Sequence, residues 1–68
     1  MDRTPRTGDR IVLYSEPMRI YRITDRGSGA VVVTEDSVGW RIERRADALY
    51  FDDEAQAWRE IASRPVAS

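Results

Sequence analysis

With 68 residues the chain makes a single domain, of a size that buries only about 60% of the surface its unfolded form exposes. It has no cysteine, histidine or lysine, which excludes thiolate and imidazole metal sites, Ser-His-Asp triads, Schiff bases and a P-loop phosphate clamp. The net charge of −1 divides unevenly: residues 1–26 carry +2 and residues 27–68 carry −3, not the balance of a basic nucleic-acid binder.

In chain order, residues 1–8 read as a flexible, solvated arm, polar and punctuated by Pro5 and Gly8. Arg3, Arg6 and Arg10 would be its contacts with an anionic partner. A first strand is expected from Arg10 to Tyr14, with Ile11 and Leu13 on one face. Ser15-Glu16-Pro17 reads as a turn, because proline lacks an amide donor and pushes Glu16 toward extended backbone. A second strand follows from Met18 to Thr24, and Asp25-Arg26-Gly27-Ser28-Gly29 is the strongest turn signal, its glycines permitting positive φ. Ala30 to Thr34 is β-branched and apolar on both faces, as a central strand is. After a turn at Glu35–Ser37, Val38, Trp40 and Ile42 alternate with Gly39, Arg41 and Glu43, predicting a half-buried strand. Arg44–Asp47 breaks the pattern, and a short fifth strand is expected from Ala48 to Phe51.

The last element reads as a helix. Asp53 with Gln56 three residues on fits a capping box, Glu54 suits the first turn of a helix dipole, and Ala55, Trp58, Ile61 and Ala62 share one helical face. Pro65 would stop it, leaving residues 65–68 frayed. The expected fold class is therefore α+β: an antiparallel meander of four to five short strands with one C-terminal helix packed on it. Residues 9–64 form this single sheet-plus-helix domain, with Trp58 as the wedge between helix and sheet.

Two segments resemble known families. Gly8-Asp9, Ile11, Leu13, Ser15, Pro17-Met18 and Ile20 resemble the opening of small bacterial SH3-like proteins, roughly G-D-x-V-x-L-x-S-G-G-P-x-M-T-V. This chain carries only Glu16 where that pattern has two glycines, and the resemblance implies a compact β module without catalytic activity. Gly39-Trp40-Arg41 and Phe51-Asp52-Asp53-Glu54-Ala55-Gln56-Ala57-Trp58 resemble the strand-then-helix end of arm-type DNA-binding domains of tyrosine recombinases, with aspartate at the usual threonine cap. That resemblance implies a sheet face able to enter a major groove, with Arg41, Arg44 and Arg45 as contacts.

For function, carboxylates, hydroxyls, arginines and tyrosines are the only reactive groups, and the expectation is a non-enzyme with no cofactor and no metal. Asp52, Asp53 and Glu54 are better explained by capping than by a cation, since no glycine-centred calcium loop surrounds them. The leading expectation is a small binding module whose acidic surface (Glu35, Asp36, Glu43, Asp47, Asp52, Asp53, Glu54) meets a protein partner. An inhibitor of the kind phages carry, such as an anti-CRISPR protein, or an accessory protein would be its role. The alternative is a DNA- or RNA-binding adaptor using Arg19, Tyr21, Arg22, Arg26, Arg41, Arg44 and Arg45. A homodimer through an edge strand or outward Tyr14, Tyr21 and Tyr50 also fits. No apolar run approaches the roughly 20 residues of a bilayer span, and the absence of cysteine favours a cytoplasmic setting with no membrane partner.

Overall fold

A computed structural model describes residues 3–25 and 27–63. Arg26 and the expected frayed end at residues 65–68 lie outside these described residues. The chain forms six strands: β1 (Arg10–Leu13), β2 (Glu16–Asp25), β3 (Ala30–Glu35), β4 (Arg41–Arg45), β5 (Leu49–Asp52) and β6 (Ala57–Glu60). They make one curled sheet in the order β4-β3-β2-β1-β6-β5. Strands β1 to β4 are the expected antiparallel meander, but β5 does not continue it. Instead β5 and β6 form a hairpin on the far side of β1, and β6 runs parallel to β1 with Ile11 opposite Trp58.

The expected C-terminal helix is absent, which corrects the α+β assignment to a nearly all-β fold. The only helical pieces among the described residues are single 3-10 turns at Ala46–Ala48 and Ile61–Ser63. The misleading signal is chemical. A carboxylate that accepts from amides two and three residues on serves a helix N-cap and a turn equally well. Here Asp52 Oδ1 accepts from Glu54 N at 3.0 Å and Ala55 N at 3.4 Å and closes the β5–β6 turn. Gln56 then takes a left-handed φ of 52°, which a helix cannot continue through, and its side chain donates to the Asp53 carbonyl at 2.6 Å. The helix-favouring Ala, Gln, Arg and Glu of this segment are overridden because β6 is paired on both sides.

The core lies on the inner face of the curl. Ile11, Leu13, Met18, Ile20, Val32, Leu49 and Trp58 form one buried cluster, with Ile23, Ile42, Ala46 and Phe51 packed against it. Trp58 is 3% exposed, so it is the buried wedge the sequence suggests, but it acts from a strand. Its ring meets Phe51 edge-on at 5.4 Å, and its indole N–H donates to Asp9 Oδ2 at 3.1 Å. Trp40, by contrast, is 72% exposed, which corrects the strand expected from Val38. Asp36 Oδ1 accepts from Val38 N at 3.0 Å and Trp40 N at 2.9 Å, and this holds both residues in a turn so that β4 starts only at Arg41.

The curl originates in β2. Its first half pairs with β1 and its second half with β3, and the register slips between Ile20 and Arg22, a bulge that leaves Tyr21 as the extra residue. Beside the bulge, the buried Thr34 hydroxyl donates to the Arg19 carbonyl at 2.6 Å. The bend lets Arg44 on β4 reach across the inner face, where its Nε donates to Glu60 of β6 and its Nη2 to the Tyr14 hydroxyl. Among the described residues no helix is long and apolar enough to cross a membrane.

Two outcomes check this architecture. Trp58→Ala should cost about 3–5 kcal/mol in a urea melt, near the whole stability of so small a core; an unchanged midpoint would mean the β1–β6 junction is held by something else. Tyr14 and Ser15 form the two-residue β1–β2 turn with φ of 54° and 61°, a conformation that suits glycine or asparagine. Ser15→Gly should therefore stabilise by up to about 1 kcal/mol, read as a higher urea midpoint at constant slope.

Candidate functional site

Strand alternation sorts the charged residues onto two faces. On β1 and β2, Ile11, Leu13, Met18 and Ile20 point inward, so Arg10 and Arg19 point outward. The two-residue Tyr14–Ser15 turn sets the register, placing Arg10 directly opposite Arg19. Past the bulge, Tyr21 and Arg22 continue the same exposed outer face, with Tyr21 45% exposed. Directly opposed like charges repel, yet neither arginine is matched by a carboxylate among the described residues. Arg19 Nη1 donates to the Gly8 carbonyl at 2.9 Å, and Arg10 and Arg22 make no side-chain hydrogen bond or ion pair with another described residue.

A concavity of about 340 Å³ opens beside this pair, walled by Arg3, Asp9, Arg10, Arg19 and Phe51. Arg3 sits over the Phe51 ring, its guanidinium carbon 4.0 Å from the centroid. That contact places part of the expected flexible arm against β5. Asp9, the one carboxylate in the wall among the described residues, is engaged by the Trp58 indole and by Arg6 N at 3.0 Å.

The other predicted arginines divide. Arg41 and Arg45 share the outer face of β4, whereas Arg44 points inward to Glu60 and Tyr14. The hydrogen bond that Arg44 donates to Glu60 raises the Arg44 pKa above its ordinary value, burial opposing it. Asp47 does the same for Arg45, which also donates to the Ser28 carbonyl at 3.2 Å. Arg41 pairs with Glu43 at 3.4 Å.

The predicted acidic residues are spread over three segments. Glu35, Asp36 and Glu43 lie on the β3–β4 hairpin, Asp47 on the 3-10 turn, and Asp52, Asp53 and Glu54 at the β5–β6 turn, at opposite edges of the strand order. Several are occupied structurally. Asp25, Asp36 and Asp52 each accept from the amide two residues on, at 3.0 Å, and so close three of the hairpin turns. Asp52 also faces Arg59 Nε at 3.1 Å; the angle is wrong for a hydrogen bond, so the contact is one of charge alone. Asp53 and Glu54 stand exposed at the tip of their turn.

Sequence reasoning named Arg19, Tyr21 and Arg22 as neighbours but set Arg3 and Arg10 apart in the arm, and it assigned Phe51 no place beside them. The missing signal was the turn: shifting it from Ser15–Pro17 to Tyr14–Ser15 aligns Arg10 with Arg19. Among the described residues no three histidine, cysteine, aspartate or glutamate side chains converge as metal ligands would. No protein-family model, curated protein or solved structure matches this chain.

Proposed function

We propose that this protein is a non-enzymatic binding module that holds a nucleic-acid strand along the outer face of β1 and β2. The observation that carries the reading is the opposed pair Arg10 and Arg19, neither ion-paired to a carboxylate among the described residues, followed along β2 by Tyr21 and Arg22. Charged residues often decorate edge strands to prevent unwanted pairing. That explanation applies only in part here: β1 and β2 are interior in the strand order, while each half of β2 is hydrogen-bonded on one side only. A row of guanidiniums beside an exposed aromatic ring suits phosphate contact and base stacking.

A second reading, a protein partner met by an inhibitor or accessory protein, has its own support. Val38 and Trp40 are 78% and 72% exposed at the β3–β4 turn, with Glu35 and Asp36 beside them. An exposed tryptophan within a charged rim is the kind of residue that anchors protein interfaces.

Fluorescence anisotropy with labelled single-stranded and duplex oligonucleotides at low salt tests the first reading. Arg19→Glu should weaken binding at least about tenfold, and Arg22→Gln should lower the slope of log affinity against log salt by about 1. Absence of binding to any oligonucleotide at about 50 μM would overturn it. Under the second reading, Trp40→Ala abolishes capture of the partner without altering stability, and retained capture removes it.

A further inference from the structure

We infer that the concavity beside Arg10 and Arg19 is a site for a phosphomonoester, the doubly charged phosphate at the end of a strand or on a free nucleotide. The inference rests on the nucleic-acid reading for its polymer context, but its own footing is the geometry of the pocket. Three guanidiniums, from Arg3, Arg10 and Arg19, border a space of about 340 Å³ whose one carboxylate among the described residues is Asp9. Three positive charges against one negative leave two, which match a phosphate dianion better than the single charge of an internal phosphodiester.

Each guanidinium is set up for such a ligand in a different way. Arg3 is held over the Phe51 ring by a cation–π contact, its guanidinium carbon 4.0 Å from the centroid, and makes no hydrogen bond or ion pair with another described residue. Arg19 is positioned by its bond to the Gly8 carbonyl at 2.9 Å, with its other donors uncommitted. Arg10 has no bonded partner among the described residues and is held opposite Arg19 by the hairpin register. The Asp9 carboxylate would repel an anion, but its Oδ2 already accepts from the Trp58 indole and Arg6 N, which offsets part of its charge. A ligand phosphate would supply the counter-charge that the opposed arginines otherwise lack.

The test uses the full chain, isotope-labelled for amide spectra. Pyrophosphate and inorganic phosphate should shift the signals of Gly8, Asp9, Arg10 and Arg19, and an oligonucleotide with a terminal phosphate should bind about tenfold tighter than its hydroxyl-ended counterpart. Arg10→Gln should reduce that preference to near unity, as should Arg3→Ala, a change outside the strands that leaves the fold intact; Arg22→Gln should weaken both oligonucleotides alike. If both oligonucleotides bind equally and pyrophosphate leaves the pocket signals unmoved, the phosphate site is overturned while the strand-binding reading stands. If pyrophosphate titrates the pocket and no oligonucleotide binds, the polymer reading fails and the site stands as one for a free phosphomonoester.

Discussion

The indole of Trp58, donating across a sequence separation of 49 residues to Asp9, joins the two ends of this fold. Asp9 precedes β1 and Trp58 lies within β6, so one hydrogen bond marks the place where the late hairpin meets the early meander. Around it, Ile11 and Leu13 pack on the same inner face, and Phe51 meets the indole edge-on. The carboxylate satisfies a buried N–H that apolar neighbours could not, which lets so large a ring sit in a thin core at little polar cost.

Everything on the outer face follows from how the inner face is filled. Because β1 and β2 turn their aliphatic residues inward, their arginines have no choice of side. Because the bulge at Tyr21 bends β2, the sheet curls far enough for Arg44 to meet Glu60 and Tyr14 on the inside. One β4 arginine is thereby consumed as a strap across the curl, and the arginines of β1 and β2 are left outside with little to neutralise them. Three carboxylates, Asp25, Asp36 and Asp52, are meanwhile bound to the turns that hold the hairpins.

How much of this the sequence disclosed depends on which force decided each element. Strands β1 and β2 were legible because their inward Ile, Leu and Met alternate with outward residues, and β3 because its β-branched run is apolar on both faces. Trp58 was legible as a buried residue because little else in a chain this small is large enough to hold a core. The helix expected to carry it was not refuted by anything local: Asp52–Gln56 carries cap chemistry and Ala57–Glu60 carries good helix formers. Only pairing with β1, some 45 residues earlier, decides for a strand, and non-local pairing leaves no trace in a short window. Trp40 misled for the opposite reason, since its alternation with Ile42 is genuine while the Asp36 side chain ends the strand before reaching it. The arginine pair was hidden behind one turn assignment, because a shift of turn position changes every cross-strand partner.

The parallel seating of β6 beside β1 also sets an order of assembly. Hairpins among β1 to β4 can close soon after they are made, but the flank of β1 stays bare until residue 60 is available. During that interval Ile11 and Leu13 lack Leu49 and Trp58 of the finished core, and an unpaired strand flank invites a strand from another copy of the chain. A β6 hairpin delivered from a neighbour would fill the gap as well as the molecule's own, so exchange of this hairpin between two chains is the misassembly to which the architecture is most exposed.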